Sequence, residues 1–120
     1  MLVWPDRDTV DLAVRSWARI QLQEHPELVR LGYFGSYATG KWGVGSDVDL
    51  VAIVSEADAP FERRALRWDF ELLPVPAEIM VYDETEWRRL QEEGGAFAQM
   101  LCRETQWVIS AAADPPSPPR

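Results

Sequence analysis

Sulfur and imidazole are scarce in this sequence: one cysteine and one histidine stand among 120 residues. A disulfide framework and a Cys/His zinc site are thereby excluded within the chain, and a reducing, cytoplasmic setting is expected. Long hydrophobic runs are missing too. No uncharged apolar stretch approaches the roughly 18 residues of a membrane span, and Met1–Arg7 is not followed by the apolar core of a secretory leader, so neither insertion nor export is expected. Positive charge is also short, with 12 Lys and Arg against 20 Asp and Glu and a net charge of −8. Direct nucleic-acid binding works through clustered Lys and Arg and the counterions they displace, and is not expected here. A polyanionic ligand of such a chain should be small and neutralised by a metal.

What the chain does have is 47% apolar and 11% aromatic residues, enough to offset chain entropy in one domain over residues 1–110. Val10, Ala13, Val14, Trp17 and Ile20 follow helical spacing, with Asp8 and Asp11 as a capping pair, and predict a first helix to about Gln23 that His25-Pro26 ends. Val29–Phe34 reads as a short strand closed by Gly35 and Ser36. Leu50–Val54 is too continuous and β-branched for a surface element and predicts a central strand buried on both faces. A second helix is expected over Pro60–Phe70, a third strand over Ala77–Tyr82, and a helix over Asp83–Glu92 with an acidic first turn that suits the dipole. Phe97–Glu104 closes the set of helices, and Trp107–Ile109 adds an edge strand. Residues 111–120 carry four of the chain's nine prolines and read as a disordered, polyproline-like tail.

The chemistry lies in the segment from Gly35 to Asp49. Asp47 and Asp49 are two apart at the mouth of a strand, so both side chains leave one face, roughly 7 Å apart along the backbone. Carboxylates held that close repel unless a cation lies between them, and Mg²⁺ prefers such oxygen ligands. Gly35-Ser36 ends one strand and begins a short helical turn whose free N–H groups suit phosphate oxygens. A third acid from an adjacent strand is needed to hold a second metal or to deprotonate an acceptor hydroxyl. Glu78 fits that place, because it opens the third strand amid apolar neighbours.

Three other patterns are excluded. Gly35 to Lys41 matches the start of a P-loop, but Trp42 stands where that pattern needs the Ser or Thr that holds magnesium, and Gly43 and Gly45 would interrupt the long helix that should follow. Phosphatases of the haloacid-dehalogenase type place their apolar strand before the first Asp, whereas here it comes after. A calcium loop needs further oxygen ligands where Val51 and Ile53 stand.

Gly-Ser, ten residues, then Asp-x-Asp and an apolar strand resembles the signature of the DNA polymerase β-like nucleotidyltransferase superfamily. The likeness covers roughly Val29 to Ile109 and is greatest to the minimal members, which pair with HEPN-domain proteins as antitoxin and toxin. The resemblance implies an α/β (α+β) fold, a small mixed sheet flanked by helices. It also implies that Asp47, Asp49 and Glu78 are the catalytic acids and hold one or two Mg²⁺ ions, and that Gly35 and Ser36 bind the β/γ-phosphates of a nucleoside triphosphate, ATP for preference. The reaction implied is attack of an acceptor hydroxyl on the α-phosphate with release of pyrophosphate. Two positions depart from the family pattern: Glu78 where Asp is usual, and Thr39 where many members carry Arg. Lys41, two residues on, replaces that Arg as a point charge and not as a bidentate fork.

A chain this short has little left to enclose a small acceptor once the sheet is built, so the acceptor is expected on a partner protein, a HEPN-type helical toxin. Six tryptophans agree with an interface, Trp42 and Trp87 on its surface and Trp17 and Trp68 in the core. Cys102 and His25 are read as structural. Two other functions fit the same residues: a silent module that neutralises its partner by occlusion, and a small-molecule nucleotidyltransferase whose acceptor pocket forms across a homodimer.

Overall fold

Asp6 opens the first helix: its backbone is extended and its carboxylate accepts the Thr9 N–H at 2.9 Å, so α1 runs Arg7–Glu24. The computed structural model describes residues 3–110; the tail expected at 111–120 lies outside the described residues. The expected capping pair of Asp8 and Asp11 is thus corrected. Asp8 lies inside the first turn, and Asp11 is turned to Arg15 Nε at 2.8 Å and to the Tyr33 hydroxyl, which donates to it at 2.6 Å. Val10, Val14, Trp17, Ala18 and Gln21 form the buried stripe, the spacing that puts one helix face on a sheet. His25 caps the end, its N–H donating to Gln21 O at 2.7 Å, and Pro26 prevents continuation.

The chain then forms β1 (Leu28–Phe34), a single turn α2 (Ser36–Thr39), β2 (Val48–Val54), a short α3 (Phe61–Arg64), β3 (Ala77–Asp83), α4 (Glu84–Glu93), α5 (Ala96–Glu104) and β4 (Gln106–Ile109). The sheet order is β3-β2-β1-β4. β1 pairs antiparallel with β2 and β4, and β2 pairs parallel with β3, which makes the mixed sheet flanked by helices that the resemblance implied. β2 is central as expected, with every residue from Leu50 to Val54 buried.

Alternation divides the sheet between two layers. Val48, Leu50, Ala52 and Val54 join Val10, Val14 and Trp17 in the core under α1. Asp49, Val51 and Ile53 take the other face, where Trp87 of α4 meets Trp107 edge-on and Phe97 of α5 meets Phe34 edge-on. Asp83 ends β3 and caps α4 in a reciprocal box with Glu86, so the acidic first turn lies where the sequence put it.

The helix expected over residues 60–70 is much shorter. α3 passes at Ala65–Arg67 into a 3₁₀ turn, and Trp68 is extended. Tertiary anchors take the chain out of the helix. The Trp68 ring stacks on His25 at 3.9 Å and packs near Trp17. Asp69 gives its carbonyl to Trp17 Nε1 at 2.7 Å and its carboxylate to the Glu71 N–H, a local bond that competes with helical pairing. Arg64 is 9% exposed and binds Ala59 O, Val81 O and the Glu86 carboxylate. Among the described residues no helix is long and apolar enough to cross a membrane.

Candidate active site

β1, β2 and β3 bring their acids to one end of the sheet through backbone register. Asp49 is paired on one side with Phe34 of β1 and on the other with Glu78 of β3, so Glu78 and Asp49 share a face by hydrogen-bond geometry alone. Asp47 stands one residue before β2 and joins that face by the two-residue period. Each of the three carboxylates offers an oxygen within 4.8 Å of the others. Asp47 and Asp49 are half-buried and Glu78 is exposed. Burial pushes the Asp49 carboxyl up to about 6, helped by the like charges of Asp47 and Glu78. An all-oxygen, triply acidic cluster with one member reluctant to ionise is a donor set that could hold a hard divalent cation.

Gly35 lies directly against this cluster. Its φ of +77° and ψ of −150° belong to a region that essentially only glycine enters. A Cβ there would fall on Asp49 Oδ2. Ser36 follows as the first residue of α2, and the Gly35 carbonyl accepts from the Ala38 and Thr39 N–H groups at 3.0 Å each. The first N–H groups of such a turn have no intrahelical acceptor. Of the glycine and serine that sequence reasoning named, Gly35 lies against Asp49 and Ser36 opens the turn beside it.

The two residues read as departures behave differently. Thr39 is exposed and donates its hydroxyl to Gly35 O at 3.1 Å, bracing the turn from outside. Lys41, the single lysine of the chain, is tied to the turn by its backbone N–H, which donates to Ser36 O at 3.0 Å, while its side chain is exposed.

The residues that hold Asp47 escaped the sequence reading. Its two peptide neighbours are both anchored from afar: the Ser46 carbonyl accepts the Trp4 indole N–H at 3.1 Å, and the Val48 N–H donates to Pro76 O at 2.9 Å. Within the loop, Gly43 and Ser46 bond reciprocally, Gly43 N to Ser46 Oγ and Ser46 N to Gly43 O. Trp42, expected on a partner surface, is half-buried and stacked on Tyr37 at 5.8 Å between ring centroids. The Tyr37 hydroxyl in turn donates to Pro5 O at 2.9 Å. Contacts this distant in sequence leave no local pattern, and a Trp-Pro pair just ahead of a helix cap is the only trace.

Comparison with known proteins gives one family model and three solved structures. The family model for the nucleotidyltransferase domain matches residues 15–95. A solved structure described as a candidate nucleotidyltransferase from Sulfolobus solfataricus is similar with a TM-score of 0.56 and 19% identity, over 69% of this chain and 75% of that one. A toxin-antitoxin structure with AMP-PNP is similar with a TM-score of 0.56 and 15% identity, over 82% of this chain and 74% of that one. A mutant of the toxin-antitoxin MntA-HpeT follows with a TM-score of 0.55, 12% identity and the same two coverages, 82% and 74%. Among curated proteins no match was found.

Proposed function

Since the chain belongs to the nucleotidyltransferase domain family, we propose that it is an Mg²⁺-dependent transferase that moves AMP from ATP onto a hydroxyl of a partner protein, a HEPN-type helical toxin whose antitoxin it is, in the cytoplasm. The observation that carries this reading is the convergence of Asp47, Asp49 and Glu78 against Gly35. Carboxylate oxygens are the ligands Mg²⁺ prefers, and the burial and like charge that raise the Asp49 pKa are what a bound cation relieves. Asp47, Asp49 and Glu78 would hold the ion or pair of ions, which when bound neutralise phosphate charge and polarise the α-phosphate.

The chain's own residues do the rest. Gly35 and Ser36 hold the β/γ-phosphates, with no side chain at Gly35 to block the approach, and Lys41 adds a point charge. The acceptor oxygen bonds to the α-phosphorus, the bond from that phosphorus to the oxygen bridging to the β-phosphate breaks, and pyrophosphate leaves. Glu78, the exposed acid, takes the hydroxyl proton. Fold similarity to two toxin-antitoxin structures, one of them with AMP-PNP, supports the choice of nucleotide and of partner class.

Incubation with labelled ATP, Mg²⁺ and a HEPN-type partner tests the reading. Label should appear on the partner, and Asp47→Ala with Asp49→Ala should abolish it; absence of label with the wild-type chain overturns the transferase. A second reading, a module that neutralises its partner by occlusion, is favoured by Thr39, whose hydroxyl is already committed to Gly35 O. In that case the double Asp variant binds and inhibits the partner as well as wild type does.

A further inference from the structure

The loop that delivers Asp47 has little of its own to hold it. Gly40 and Gly45 have φ values of +82° and +89°, and a Cβ at Gly40, Gly43 or Gly45 would meet nothing within 4 Å. Glycines in open space retain the most backbone freedom, so these three positions are not fixed by packing around them, and the loop itself is held by the Trp42 ring and by the Gly43–Ser46 bonds. At the Asp47 end, two further bonds come from outside the loop. Trp4 reaches across 42 positions to the Ser46 carbonyl, one atom group before Asp47. Trp4 and Trp42 both pack against the core, and between them Tyr37, fully buried, stacks on Trp42 and donates to Pro5 O. The Val48 N–H bond to Pro76 O holds the other side of Asp47 and ties it to the start of the strand that carries Glu78.

We propose that Trp4, Pro5 and Tyr37 form a strap that positions Asp47 for the cation, acting through the Ser46 carbonyl; this rests on the reading of the three acids as a metal site. Asp49 and Glu78 are set by β-sheet register and need no such help. Asp47 lies outside the ladder, and without the strap its carboxylate samples positions beyond the 4.8 Å cluster. Trp4 and Tyr37 are not among the three acids and reach Asp47 only through the Ser46 and Pro5 carbonyls, so they are positioning residues.

The test uses the full chain with Mn²⁺ as probe and no nucleotide, free ion being followed by electron paramagnetic resonance. Trp4→Phe keeps a ring in place and removes only the N–H. It should weaken Mn²⁺ binding about tenfold, the scale of outer-shell losses at metal sites, while the melting temperature in EDTA stays close to wild type. Tyr37→Phe should shift affinity in the same direction by less. If both variants bind Mn²⁺ as wild type does, the strap is overturned. If Trp4→Phe melts earlier but binds Mn²⁺ unchanged when folded, its role is structural and the strap is likewise overturned. If the wild-type chain binds no Mn²⁺, the metal reading of the three acids falls, and the strap with it.

Discussion

Gly35 and Asp49 are fitted to each other: the glycine's missing side chain is the space in which the Asp49 Oδ2 sits. Gly35 directly follows β1 and Asp49 lies in β2, and the register that pairs Phe34 with Asp49 sets their approach. Gly35→Ala therefore meets two penalties, a backbone conformation costing about 1–3 kcal/mol for a residue with a Cβ and displacement of the Asp49 carboxylate. Urea unfolding should show the loss of stability, and Mn²⁺ titration of the folded variant should show weakened binding. A variant as stable as wild type with intact binding would contradict the fit.

Asp49 makes metal-free stability depend on pH. Its carboxyl keeps a proton up to about pH 6 in the folded chain, against a usual value of 3.8. Between those limits the native state binds more protons than the unfolded one, so stability falls as pH rises. The contribution is fully present below about pH 4 and is lost above pH 6. Melting curves in EDTA from pH 4 to 8 should show this decline, Asp49→Asn should flatten it, and Mg²⁺ should restore stability at the alkaline end. A decline unaltered by Asp49→Asn assigns it to another group.

Glu78 separates charge from reach. Glu78→Gln keeps the length and removes the carboxylate proposed to take the proton, and should lower nucleotide transfer by about 10²-fold or more. Glu78→Asp restores the acid one methylene shorter and should keep activity far above that of the Gln variant. Equal rates for the two, measured with labelled ATP, would remove Glu78 from the chemistry.

Arg64 is the fold's own test. It gathers the Ala59 and Val81 carbonyls and the Glu86 carboxylate, the last at 2.6 Å. Arg64→Ala leaves these acceptors without their cation and should cost about 3 kcal/mol, seen as a lower urea midpoint. Mn²⁺ binding of the folded variant should be unchanged, because this anchor lies at the opposite end of β3 from Glu78.

How far the sequence reveals this arrangement depends on the range of the interaction. Asp47, Asp49 and Glu78 are legible because strand alternation is local and because Leu50–Val54 is apolar on both faces. The capping box at Asp83 and Glu86 is legible in part, as an acidic start whose first residue turns out to be the cap itself. The helix at residues 60–70 misleads because its apolar spacing is sound while Trp68 and Asp69 are claimed by Trp17 and His25, about fifty residues away. Asp6 displaces Asp8 as cap for a smaller reason: the cap must stand in extended geometry outside the first turn. Trp4 and Pro76 could not be found from sequence, since each acts on a backbone atom beside Asp47 that it meets only after folding.

The parallel pairing of β2 with β3 and the antiparallel pairing with β1 give the sheet two unlike rims. Asp47, Asp49 and Glu78 gather at one. The other is closed by the Ser55 N–H on Glu27 O and continues into the surface turn at residues 55–60. A dye or an affinity handle introduced at that turn would sit a full strand length from Asp49, which makes it the place to instrument the molecule while leaving the rim of the three acids uncovered.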